Sequence, residues 1–255
     1  KGRVTAAEMY HVKDSYVRFN QKNHVGSQIF WNPTVEGERA ALKVKQRQLI
    51  QKGRPGFDAT AWSLDSAAES FLSHMDFSKN QADKGATAWQ TKLEPGPAGR
   101  PTTSAKEASQ IVRKAAHLFG ADQVGFANLD RRWVYSHYFE ADTKKNYPIK
   151  FSDDPGYQQY DQPIRLADGT RVIPKEMRYV VVLLHEWGRN VKGTEYAPTL
   201  LTEGLSTLAY ARMAPTLWML AEFIRGLGYH AIPAANDTAL SIPLAVDAGL
   251  GQLGR

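Results

Sequence analysis

The alternation of helical and strand-like segments after residue 104 predicts an α/β fold, with helices packed on a sheet. Three observations carry that expectation. Ser104-Ala105-Lys106-Glu107 is a capping box ahead of apolar residues at helical spacing. Tyr179–Leu184 is an unbroken apolar, β-branched run of the kind found in strands buried on both faces. An Ala/Leu/Met-rich helical stretch then runs from Pro198 to Leu227 and precedes a second apolar run, Tyr229–Ile232.

Composition narrows the class. A chain of 255 residues that is 42% hydrophobic can bury one large core, here expected over residues 104–255, with 1–103 as an extension wrapped around it. The excess of 32 Lys and Arg over 26 Asp and Glu is scattered rather than gathered into a basic, aromatic-interleaved face, which argues against nucleic acid as a partner. The absence of cysteine excludes disulfides, thiolate metal sites and iron–sulfur ligation within these residues. There is no apolar run long enough to span a bilayer, and Lys1 does not open a signal-peptide pattern.

Taken in order, residues 1–100 are polar, broken by Gly and Pro and rich in isolated aromatics. Helices are expected at Thr5–Asn20, Gly37–Gln51 and Ser63–His74. The Pro/Gly cluster Glu94–Ser104 reads as a linker. From Ser104 a helix runs to Gly120 on Ala108, Ile111, Val112, Ala115 and Leu118, and Gln123–Leu129 follows as a strand. The chain turns through Asp130-Arg131-Arg132 into Trp133-Val134-Tyr135-Ser136. Asp168-Gly169 is a hairpin turn between Ile164–Leu166 and Arg171–Ile173. Pro215 kinks or restarts the long helix, Gly228 stops it, and a last helix, Ser241–Ala248, is closed by Gly249.

Tyr135 is the candidate acid: a partly buried phenol just past a strand and next to Trp133, with Arg189 beyond Tyr179–Leu184 as the cation that would favour its phenolate. The plainer reading makes Tyr135 a core-edge residue and Arg189 a solvated charge. His185-Glu186 does not form a zinc motif, because Arg189 takes the place of the second histidine in HExxH. His117 and His137 read as packing residues. Residues Ala234–Ser241 are small or hydroxylated, so a large flat ligand could reach the backbone ahead of the helix at Ser241. Gly249, Gly251 and Gly254 follow a helix and are therefore no phosphate loop. On residue types alone this region is a pocket for a bulky cofactor.

GYHAIPAANDTALSIPLAVDAGLGQLGR (residues 228–255), GADQVGFA (120–127) and RWVYS (132–136) resemble the corrinoid-dependent reductive dehalogenases. The resemblance covers about Ser104 to Arg255 and implies a nitroreductase-like α/β sandwich related to cobalamin-processing proteins. It also implies a base-off cobalamin held near Asn236, Asp237, Thr238, Ser241, Gly249, Leu250 and Gly251. Tyr135 falls on the family's proton-donating tyrosine and Arg189 near the basic residue that assists it. Phe19, Trp62 and Trp133 fall on the aromatics of the substrate pocket. The implied substrate is a small halogenated organic compound. Further partners would be a small membrane anchor protein and a second copy of the chain, at the outer face of the cytoplasmic membrane after export. Two 4Fe-4S clusters are implied on cysteine motifs C-terminal to this stretch, which makes the chain read as the front part of such an enzyme. Two alternatives remain open at this point: a cytoplasmic epoxyqueuosine reductase-like cobalamin enzyme, disfavoured by WVYS, and a non-catalytic corrinoid-binding module.

Overall fold

The computed structural model describes residues 4–74, 103–187 and 199–252. The fold is mixed α/β, with seven α-helices among these residues: α1 Ala6–Met9, α2 Val25–Gln28, α3 Pro33–Gln51, α4 Ala59–His74, α5 Ala105–Leu118, α6 Leu200–Gly226 and α7 Ser241–Asp247. Six strands, β1 Gln123–Asn128, β2 His137–Glu140, β3 Lys145–Phe151, β4 Ile164–Arg165, β5 Arg171–Ile173 and β6 Tyr179–Leu184, form two sheets.

Local chemistry explains most boundaries. α5 starts at a reciprocal capping box, in which Glu107 N–H donates to Ser104 Oγ at 3.2 Å and Ser104 N–H donates to Glu107 Oε2 at 2.9 Å. Gly120, at φ +108°, lets the chain leave that helix. The hairpin at Asp168-Gly169 closes as the pattern requires: Leu166 and Gly169 exchange turn bonds with Thr170 and Leu166, and Gly169 takes φ +90°. α3 begins four residues earlier than expected, because Asn32 caps Thr34 N–H and Pro33 suits the first turn.

Three expectations fail. A helix over Thr5–Asn20 is not formed: α1 stops at Met9, His11 takes a left-handed φ of +50°, and the chain runs on extended across the core. Tyr179–Leu184 is a strand but not one buried on both faces. It pairs with β1 alone among the described residues, none of its six residues is fully buried, and Tyr179 is 74% exposed. Tyr229–Ile232 is no strand, since Tyr229 N–H closes the end of α6 on Ile224 and Arg225 Nη2 takes the Ala231 carbonyl at 2.8 Å. α6 runs unbroken through Pro215, so this proline does not restart the helix. The linker Glu94–Ser104 falls almost wholly outside the described residues.

The two sheets serve two cores. β2-β3-β5-β4 carries Tyr138, Ile149, Phe151 and Ile173 into a cluster with Trp133, Val134, Tyr135, Leu244 and Val246. The β1–β6 pair, in register Gln123 to Leu184, packs Val124 on Ala115 and Ala116 of α5 and Leu220 of α6. α4 lies along α6, where Gly204 brings the α6 backbone against Asp65.

Candidate functional site

The site is built on the extended stretch Trp133–Ser136 between the two sheets. Asp130 accepts from Arg132 N–H to cap a single 3-10 turn over Arg131–Trp133, which delivers Val134 into an antiparallel bridge with Ala239. Tyr135 N–H then donates to the Thr238 carbonyl at 2.9 Å. The sequence-predicted acid and the small-residue loop are thereby held side by side by backbone bonds.

Tyr135 is 3% exposed, and among the described residues its hydroxyl makes no hydrogen bond. Burial first, then the charges of Asp237 and the phenols of Tyr210 and Tyr16, push its pKa up to about 12. The phenol is therefore fully protonated at neutral pH. Beside it Thr238 is 6% exposed, and its Oγ1 is buried without a hydrogen-bond partner among the described residues. A buried hydroxyl in that condition carries a free-energy cost that a bound polar group would remove.

Asp237 turns the other way, into the core. Its Oδ2 accepts from Arg171 Nη1 at 3.0 Å, and its Oδ1 from Ala235 N–H at 3.2 Å. Arg171 is wholly buried, its guanidinium carbon 3.7 Å from the centroid of the Tyr138 ring. This pair fixes the base of the Asn236–Thr238 loop to β5. Asn236 is exposed and donates to the Tyr210 hydroxyl at 2.6 Å.

The N-terminal segment straps over the site. Arg18 Nε donates to the Val134 carbonyl at 3.0 Å and Nη2 to that of Ile149 at 2.9 Å, with a further bond to Tyr135 O. Phe19 lies 6.1 Å from the Tyr135 ring, Ser136 N–H donates to Phe19 O, and Gln21 Nε2 reaches Asn236 O at 2.8 Å. Nothing local in the sequence marks Arg18, because its partners lie 116 to 131 residues away. Asp247 of α7 escaped notice for the same reason. Its carboxylate holds Trp133 Nε1 at 2.8 Å and Ala6 N–H at 2.6 Å.

The remaining predicted residues separate. Trp133, 3% exposed and bonded to Asp247, belongs to the core rather than to an open wall. Trp62 stands on α4, 49% exposed, and no ring contact described joins it to Tyr135. Ser241 is the exposed first residue of α7. Gly249 and Leu250 lie at the far end of α7, about 10 Å along a seven-residue helix, where they line a cavity of about 690 Å³ with α5 and β1. Gly251 is exposed at φ +154°. Arg189 lies outside the described residues. His185, at the end of β6, has both ring nitrogens buried without a hydrogen-bond partner, and burial holds its pKa below the usual histidine value. Among the described residues no group of three His, Asp or Glu is placed to hold a metal.

Fold and site together define a mixed α/β protein organised around a buried, protonated tyrosine. No family model matches the chain. It is similar to the tetrachloroethene reductive dehalogenase of Sulfurospirillum multivorans, 33% identical over 229 residues, which is 84% of this chain and 43% of that protein. It is also similar to the enzymes of the same name from Dehalobacter restrictus and Desulfitobacterium hafniense, 34% identical over 168 residues, or 60% of this chain and 29% of theirs. The chain thus spans less than half the length of each of these relatives.

Proposed function

We propose that the chain is the corrinoid-binding part of a reductive dehalogenase, on a nitroreductase-like fold, with Tyr135 as the proton donor to carbon. The observation that carries this reading is the buried Tyr135, protonated and, among the described residues, with no hydrogen-bonded partner on its hydroxyl, within a chain similar to tetrachloroethene reductive dehalogenases. When bound, a corrinoid supplies the cobalt chemistry that removes halogen from carbon. The residues present suit such a group in part. The Thr238 hydroxyl, unpartnered among the described residues, lies next to Tyr135, the loop that carries it has small side chains at Ala234 and Ala235, and Gly249 and Gly251 flank Leu250 past the end of α7. Asn236, Asp237, Thr238, Ser241, Gly249, Leu250 and Gly251 are the residues proposed to hold it. The clusters implied by the resemblance have no thiolate ligand here, since the chain has no cysteine.

The chain's own part is acid supply and exclusion of water. A phenol at about 12 gives no proton to water at neutral pH but yields one to a far more basic carbanion at the carbon that loses halide. Arg18 and the Thr238 carbonyl hold the backbone of Tyr135 on both sides, and Phe19 and Tyr16 keep its surroundings apolar. Arg189 is proposed as the cation that favours the phenolate after transfer. The substrate is proposed to be a small organohalide and the setting the outer face of the cytoplasmic membrane, with a small membrane anchor protein as partner, on the resemblance to the family; no described helix is long and apolar enough to cross a membrane. The test is the visible spectrum of the chain reconstituted with hydroxocobalamin, followed by dehalogenation with a strong chemical reductant in wild type and Tyr135→Phe. A base-off spectrum and a loss of turnover of at least a hundredfold in the variant are expected. No corrinoid binding, or unchanged turnover in the variant, overturns the proposal.

A further inference from the structure

Among the described residues β1 pairs with β6 alone, and a two-stranded sheet is marginal in water without further cover. Its β1 edge opens into the cavity of about 690 Å³. The Val124 carbonyl points into that cavity, away from β6, because Arg113 Nη1 donates to it. Alternate residues of a strand turn their main-chain groups the same way, so those of Phe126 and Asn128 face the same side. Two layers continue past this edge. Above it, Lys106, Ser109, Gln110 and Arg113 form one stripe of α5, four and three residues apart, beyond the Val112, Ala115 and Ala116 stripe that packs on the strand. Below it, Ala248–Leu250 crosses β1 so closely that a Cβ on Gly125 would lie 2.8 Å from Ala248 Cβ, Ala248 O and Leu250 Cγ. The gap between the layers therefore continues the plane of the sheet at the place where a neighbouring strand would lie, about 4.8 Å from β1.

We infer that this slot takes an extended acidic segment of polypeptide, which adds to the edge of β1 and directs its carboxylates at Lys106 and Arg113. Apolar side chains at its alternate positions would turn to the opposite face and rest on Leu250. The charge of the slot selects this occupant. A second copy pairing edge to edge would bring Lys106 and Arg113 of both chains together, which is unfavourable. The inference does not rest on the corrinoid reading and would survive its failure; Gly249 and Leu250 are shared with the residues proposed to hold that group, so the two occupants would compete there.

The probe is a labelled nonapeptide alternating valine and glutamate, compared with one alternating valine and lysine, against the 255-residue chain. Binding is read by fluorescence anisotropy and by amide hydrogen exchange. The glutamate peptide is expected to bind at least tenfold more tightly and to slow exchange at Phe126 and Asn128, whose amides are expected to exchange faster than those of Gly125 and Ala127 in the chain alone. Lys106→Glu, an exposed position, is expected to weaken the glutamate peptide at least fivefold while leaving the circular dichroism unchanged, and Arg113→Glu to weaken it further. Equal affinity for both peptides, binding of neither, or amides at Phe126 and Asn128 already protected in the monomer would overturn the inference. So would protection that appears only with dimerisation, or free glutamate displacing the peptide at equal concentration.

Discussion

Asp237→Asn tests the internal strut of the site. The substitution keeps the shape of the side chain and its Oδ1 acceptor for Ala235 N–H, and removes only the charge facing Arg171. At a separation of 3.0 Å and an effective dielectric of about 20, the lost attraction is roughly 5 kcal/mol, partly offset because the carboxylate no longer has to be desolvated. Arg171 cannot recover by swinging into water, since it is wholly buried beneath Tyr138. Breaking a buried pair in this way costs about 3–5 kcal/mol. With a urea slope of about 2 kcal/mol per molar, the unfolding midpoint should fall by roughly 1.5–2.5 M. The double variant Arg171→Met, Asp237→Leu should recover most of that loss, because both charges leave the core together. Equilibrium urea unfolding followed by tryptophan fluorescence provides the measurement. A midpoint drop below roughly 0.5 M for Asp237→Asn, or a double variant as unstable as the sum of the singles, would refute the assignment of this pair as a buried strut.

Other outcomes follow from single features. Tyr135 should titrate near 12 in an ultraviolet difference titration of wild type against Tyr135→Phe, and a midpoint near 10 would contradict its burial. Because the folded chain holds this proton more tightly than the unfolded one, the stability it contributes is complete below pH 10 and is lost as pH rises toward 12, at most about 3 kcal/mol. Ser104→Ala should cost about 1 kcal/mol through loss of the capping box, read as a lower unfolding midpoint with α5 exchanging faster at its first turn. Gly169→Ala should cost more than 1 kcal/mol, since the residue sits at φ +90° and its Cβ would fall 2.3 Å from the Tyr147 ring; a neutral effect would show that the Asp168-Gly169 turn is not tight.

What was legible in the sequence divides along the range of the interactions. The α5 capping box, the hairpin at Asp168-Gly169 and the extent of β1 depend on residues within a few positions of one another, and each stands where the pattern puts it. Tyr179–Leu184 was correctly a strand but incorrectly a central one. An apolar run reports only that side chains need cover, and half-exposed positions beside a single partner strand give the same letters as a fully enclosed one. The straps of the site were invisible. Arg18 and Asp247 act on backbone atoms and on an indole far away in sequence, and Arg171 reads as one charge at the start of a short strand.

That division bears on how Tyr135 works. The WVYS segment supplies the phenol, but its raised pKa comes first from burial and then from Asp237 and Tyr210, and its carbonyl is held by Arg18, partners that the segment itself does not reveal. Arg18→Met would separate the two contributions. Losing the guanidinium frees the carbonyls of Val134 and Ile149 and loosens the strap that carries Phe19. Water then reaches the phenol, and its pKa should fall from about 12 toward 10 while secondary structure is retained. A titration midpoint still near 12 in Arg18→Met would mean that the second sheet and the Asn236–Thr238 loop alone keep the site dry, and that the N-terminal segment only covers what they have already enclosed.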